Sequence, residues 1–193
     1  MVQNVLNVKL PGNSQDLVLA SIQPDRRMNE MEFYFPVRSL SLQKIRDLLV
    51  DSGGGDFPLT FPEQMGKLTF SPTKGFMKGF VDLVFQHQDQ FYIVDWKSNY
   101  LGPTIDSYRR ENLKRIMRDS FYLLQYQIYI LALQQYLKLR IPGYCYETDF
   151  GGVFYLFCRG IDPQMGAKFG VFHDRPSPGF IHELEKALIP GLV

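Results

Sequence analysis

The chain predicts an α/β fold, a mixed central sheet with an antiparallel hairpin at its middle and helices on its flanks. Three observations point there. GFMKGFVDLVFQHQDQFYIVDWKSNY (75–100) holds two strand-type runs joined by a short polar turn, helical periodicity dominates the next forty residues, and a buried-type strand, GGVFYLFCRG (151–160), follows them. With 193 residues, 45% of them hydrophobic and 15% aromatic, there is material for one domain with a sizeable core, and 1–193 is read as a single domain.

Taken in order, NEMEFYFPV (29–37) alternates and ends at Pro36, as a strand does, and places Glu30 and Glu32 on one face. Ser41 caps a predicted helix whose apolar positions are Leu42, Ile45, Leu48 and Leu49, with Leu40 and Ile45 as a hydrophobic staple and glycines after it. Gly- and Pro-rich loop and a short strand, GKLTF (66–70), lead to the hairpin. After the hairpin comes a basic helix of about three turns within LGPTIDSYRRENLKRIMRDS. The helix FYLLQYQIYILALQQYLKLR follows and stops at Pro142 and Gly143, then come the strands GGVFYLFCRG and KFGVF. Ser177 and Pro178 open a last helix through GFIHELEKAL.

Several function classes recede on composition. The formal net charge of +1 is not that of a globally basic nucleic-acid binder, so any polyanion contact must come from local clustering. No apolar run reaches the roughly 18–20 residues of a membrane helix, and MVQNVLNVKLPGNSQD lacks the features of a signal peptide, which makes the cytoplasm the expected location. Cys145 and Cys158 have no companions at zinc spacing and read as reduced packing cysteines.

The hairpin carries the chemistry. Period-two alternation puts Asp95 and Lys97 on one face of the second strand and Phe80, Asp82 and Val84 on one face of the first. If the turn lies in HQDQ, opposed residues have numbers that sum to 177, and Asp82 faces Asp95. Two carboxylates so opposed repel unless a cation or a proton lies between them, so the pair is a divalent-metal clamp or a proton-sharing acid pair, with Lys97 beside it to orient water or neutralise a phosphate. A surface salt bridge between Lys97 and Asp95, with Asp82 solvated, is the bland alternative. Arg110, Lys114 and Arg118 form an i, i+4, i+8 stripe that suits a phosphate backbone or a solvated face.

GFVDLVF followed by FYIVDWKSN resembles the catalytic core of the PD-(D/E)xK (restriction-endonuclease-like) nucleases, and within them the C-terminal nuclease domain of RecB-type helicase-nucleases. EMEFYFP, DWKSNYLG, LQYQIYILAL and FGGVFYLFCRG extend the likeness over about 28–185. The resemblance implies Mg²⁺-dependent hydrolysis of DNA in break repair and recombination. It makes Asp82, Asp95 and the main-chain carbonyl of Trp96 the metal ligands, Lys97 the active-site lysine and Glu30 a further catalytic acid, with Glu32 as its substitute. Gln125 and Tyr129 match a Q-x-x-x-Y element whose side chains could reach the DNA or the metal site, and the implied partners are RecC and RecD subunits and the RecA recombinase. The family's upstream histidine ligand has no counterpart before His87, from which these residues are expected to be the C-terminal piece of a longer polypeptide. His87, His173 and His182 read as surface or structural. Two other functions stay open at this stage, a catalytically silent DNA-exit or docking module and a stand-alone restriction-type endonuclease.

Overall fold

The computed structural model describes residues 1–12, 17–37, 71–73 and 75–189. The predicted helix after Ser41, the Gly- and Pro-rich loop and the GKLTF strand lie outside the described residues. Among those described, a short helix α1 (Val2–Asn7) precedes the strands β1 (Arg27–Pro36), β2 (Ser71–Thr73), β3 (Phe76–His87) and β4 (Gln90–Lys97). Helices α2 (Arg110–Asp119), α3 (Tyr122–Lys138) and the single turn α4 (Tyr146–Asp149) then lead to β5 (Phe150–Phe157), β6 (Val171–Asp174) and the closing helix α5 (Pro178–Leu188).

The strands form one mixed sheet in the order β1-β3-β4-β5-β6, with β2 added to β3. The fold is therefore the predicted α/β type, compatible with a PD-(D/E)xK core: an antiparallel β3–β4 hairpin, then a helical crossover that returns β5 parallel to β4. β6 closes on β5 antiparallel. Hairpin pairs run from His87↔Gln90 to Leu83↔Val94, the register with numbers summing to 177. The turn is two residues long, and both of them, Gln88 (φ 47°) and Asp89 (φ 63°), are left-handed, as a type I′ turn requires.

By compactness the chain divides into two units. The first comprises Met1–Met31, Val81–Ile116 and Glu147–Arg175; the second comprises Glu32–Phe80, Met117–Tyr146 and Pro176–Val193.

In the first unit, α1 and the segment after it cover one sheet face, where Val5, Val8, Leu17 and Leu19 join Leu83, Phe85, Tyr92, Val94, Phe154 and Leu156 in one apolar cluster. The Tyr92 ring stacks on Phe85 (5.1 Å between centroids) and on Phe154 (5.8 Å). The β4–β5 register slips between Phe91↔Phe150 and Tyr92↔Gly152, so Gly151 is the extra residue of a bulge. It lies beneath Tyr92, where a Cβ would fall 2.1 Å from the ring. His173 stacks on Phe154 at 4.7 Å, and burial lowers its pKa, the setting of a structural histidine. Neither Cys145 nor Cys158 forms a disulfide among the described residues.

In the second unit, α3 is buried without interruption from Leu124 to Gln134, as a helix apolar on every side must be. Its C-terminal end meets α5 through Glu185, whose carboxylate accepts from Gln135 (2.7 Å) and Lys138 (2.6 Å). Ser177 caps α5, its hydroxyl accepting from the Phe180 N–H at 3.3 Å, with Pro178 in the first turn. Phe33 and Phe35 of β1 point inward, and Gly79 leaves room for the Phe33 ring, which a Cβ would meet at 2.6 Å.

The bulge generates a test. Gly151→Ala should cost about 1–3 kcal/mol through overpacking against Tyr92, which lowers the melting temperature by several degrees. Gly179→Ala, where among the described residues no atom beyond the chain neighbours and the helix's own backbone lies within 4 Å of the added Cβ, should leave it unchanged or raise it. Equal melting temperatures for the two variants would contradict the packing described.

Candidate active site

β4 is a central strand whose residues Tyr92 to Asp95 are all buried, so Asp95 is desolvated by the packing that orders its neighbours. Only 3% of Asp95 is exposed. Its Oδ2 forms an ion pair of 2.5 Å with Lys97 Nζ, two residues along the same face, and has no hydrogen-bond partner besides that pair. Lys97 is itself held from below: its Nζ stands 5.0 Å from the ring centroid of Tyr155, which β5 aligns opposite Asp95. The Lys97–Asp95 bridge of the bland alternative is thus present, but it is buried rather than at the surface, since the Asp95 side chain is 4% exposed and that of Lys97 12%.

Asp82 occupies the place where the hairpin ladder ends. Past the last pair, Leu83↔Val94, its Oδ2 accepts from the Trp96 N–H at 2.9 Å, so a side chain satisfies the main-chain donor. One Asp82 oxygen is engaged there and the other has no hydrogen bond among the described residues. The two acids feel one another. Burial pushes the Asp95 pKa up to about 6; the Lys97 ammonium opposes this, and the Asp82 charge adds to the rise. Asp82 and Asp95 are the acids that could share a cation, and among the described residues no group of three or more His, Cys, Asp and Glu side chains forms around one point.

The remaining predicted site residues are less concentrated. Glu30 is exposed at a left-handed position (φ 51°), an uncommon conformation for glutamate, and no hydrogen bond or ion pair joins it to the acid pair. Glu32 is spent on an exposed bridge to Lys78 at 2.6 Å. Arg110 and Lys114 are exposed on α2, and Arg118 is partly covered. Gln125 and Tyr129, read from the sequence as able to reach the DNA or the metal site, are placed away from solvent. Both lie buried in the second unit, 3% and 2% exposed, where the Gln125 amide donates to the Tyr129 hydroxyl at 2.9 Å. Their i, i+4 spacing made them partners of each other. Sequence reasoning missed Tyr155 under Lys97 and the Asp82 bond to the Trp96 main chain. Tyr155 sits in a uniformly apolar run, and only the β4–β5 register reveals its place.

The Asp95 pKa fixes the sign of a pH effect in metal-free buffer. Its folded value, about 6, lies above the usual 3.8, so the folded chain binds the extra proton between those values and loses stability as pH rises through that window. Relative to Asp95→Asn, the chain should therefore lose melting temperature from about pH 4 to 6 and show a flat difference above. A flat difference across the whole range would contradict the buried carboxylate.

No family model matches the chain. Among curated proteins it resembles the RecBCD enzyme subunit RecB of several bacteria. It is 36% identical over 188 residues to that of Buchnera aphidicola subsp. Schizaphis graminum, covering 97% of this chain and 15% of the relative. To RecB of Escherichia coli it is 37% identical over 174 residues, 90% of this chain and 14% of the relative. With RecB of Haemophilus influenzae the identity rises to 50% over 120 residues, 61% of this chain and 10% of the relative. The chain thus spans about 15% of the length of the curated relatives it matches. Through that shared segment it belongs to the RecB family.

Proposed function

We propose that the chain is a Mg²⁺-dependent nuclease domain that hydrolyses DNA phosphodiesters. The observation that carries this reading is the Asp82, Asp95 and Lys97 cluster at the end of the β3–β4 ladder: two carboxylates in electrostatic contact, one of them buried beside an amine. A surface fold has no use for such a pair, whereas a site that handles a phosphate and a hard cation does.

The donor set fits Mg²⁺, which binds through one or two carboxylates and keeps waters or phosphate oxygens in its remaining positions. Asp82, Asp95 and the Trp96 carbonyl would hold it, and when bound it would polarise the phosphate and lower the pKa of an attacking water. The chain's own groups do the rest. Asp95 must be ionised, which neighbouring Lys97 favours and burial opposes. Lys97, held between Asp95 and the Tyr155 ring, offers its ammonium to charge developing on the phosphoryl oxygens. Asp82 is oriented by its bond to the Trp96 N–H, which fixes one oxygen and aims the other. Glu30 is proposed as a further catalytic acid on the resemblance alone. Arg110, Lys114 and Arg118 would meet the DNA backbone, Gln125 and Tyr129 would act by positioning rather than by surface contact, and the cytoplasm would be the setting.

The relatives' shared name is that of a subunit of a RecBCD enzyme. By extension we propose RecC- and RecD-type subunits as partners, RecA recombinase as a further one, and DNA repair and recombination as the process.

The test is Mg²⁺-dependent degradation of DNA by the chain and its variants. Asp82→Ala, Asp95→Ala and Lys97→Ala should each lose at least about 100-fold in rate while remaining folded by circular dichroism. Wild-type cutting by Asp95→Ala, or no cutting by the chain at any Mg²⁺ concentration in a form extended to full RecB length, would refute the reading.

A further inference from the structure

In an α/β sheet, ligands gather outside the carboxyl ends of parallel strands, because the loops that follow those strands open on the same side. β4 and β5 are the parallel pair here, aligned to their last residues, Lys97↔Phe157. The loops that leave them, 98–105 and 158–162, line with Asn4 an open recess of about 440 Å³ within the first unit. Such a volume is ample for one small ligand.

The walls are built rather than incidental. The Tyr108 hydroxyl donates to the Asn99 carbonyl and accepts from the Leu101 N–H, both at 3.2 Å, and so clamps the loop directly after Lys97. Gly160 lies so close to the Tyr108 ring that a Cβ would stand 2.2 Å from it, which locks the second loop to the first. Asn4 of α1 donates to the Ile161 carbonyl at 3.2 Å. Among the exposed side chains in the lining, two can recognise a ligand specifically. Tyr100 is a large aromatic that is 67% exposed. Arg159 is exposed too, but its Nε donates to the Ser98 carbonyl at 2.9 Å, which holds the guanidinium with its two terminal nitrogens unpaired among the described residues. The one carboxylate in the lining, Asp162, accepts from the Gln164 N–H at 3.0 Å as a cap for its own turn.

An exposed aromatic beside an anchored guanidinium fork is the pairing that recognises a nucleotide, the ring by stacking and the fork by two hydrogen bonds to phosphate. We propose that this recess is a nucleotide subsite for single-stranded DNA, with a base stacked on Tyr100 and the adjoining phosphate held by Arg159, one loop away from Lys97. The choice of ligand rests on the nuclease reading, but the binding does not require cutting.

The experiment is therefore done without divalent cation. The full chain, in buffer containing EDTA, is titrated into a short fluorescein-labelled oligothymidylate and followed by anisotropy. Tyr100→Ala should weaken binding about 10-fold, the loss of one stacking contact, and Tyr100→Trp should restore it. Arg159→Ala should weaken binding and reduce the salt dependence by about one phosphate contact. Both side chains are exposed, so melting temperatures should match the parent chain and exclude a folding defect. Undiminished binding by both alanine variants, or no binding by the parent chain, would overturn the subsite. Either result would leave the Asp95 cutting test standing, and a failure of that test would leave a Tyr100-dependent affinity intact, so the two readings fail separately.

Discussion

The register of the β3–β4 hairpin is the constraint on which the site depends. Gln88 and Asp89 adopt left-handed conformations without being glycines, at a cost of about 1–2 kcal/mol each, and the paired strands must offset it. The gain is a two-residue turn whose twist matches the strands and admits one register only. Slipping by a single residue would send Asp95 to the opposite face together with every apolar residue that now faces inward. It would also put Leu83, Phe85, Tyr92 and Val94 outside the cluster they form with α1 and β5. Core and site are thus specified by the same turn, and neither can be lost alone.

Asp95 is where stability and chemistry oppose each other. A buried ion pair contributes little net stability, because desolvating both charges costs about what their attraction returns, and apolar residues of the same volume would often serve the fold as well. The raised pKa measures that cost. A carboxylate kept there at the end of a central strand, with an amine at 2.5 Å and a second acid bonded to the neighbouring main chain, is an arrangement that the fold tolerates and a phosphate-handling site uses. Kinship with one segment of RecB agrees with that reading.

The parallel β4–β5 pairing accounts for the rest of the local geometry. Because both strands end on the same side, the residues after Lys97 and after Phe157 are brought together although about sixty positions separate them. Tyr108, arriving from the following 3₁₀ turn, ties these loops into one rigid wall through Asn99, Leu101 and Gly160. The same alignment slides Tyr155 beneath Lys97.

Local pattern determined a good deal by itself. The alternation around Asp82 and Asp95 and the short polar turn were enough to define the hairpin register, since period-two geometry leaves one pairing for a given turn length. Periodicity located α2 and α3, Ser177 and Pro178 announced α5, and the run GGVFYLFCRG at 151–160 announced β5 (Phe150–Phe157). Other features depend on partners distant in the chain. The bulge at Gly151 exists because Tyr92 needs its space; the Asp82 bond to the Trp96 N–H exists because the ladder stops there. Gln125 and Tyr129 have the spacing of a functional pair, yet their burial follows from α3 being enclosed on every side, which no i, i+4 pattern reveals. Periodicity reports which face a residue takes, whereas burial and charge state depend on what is packed against that face, and only the tertiary structure supplies that.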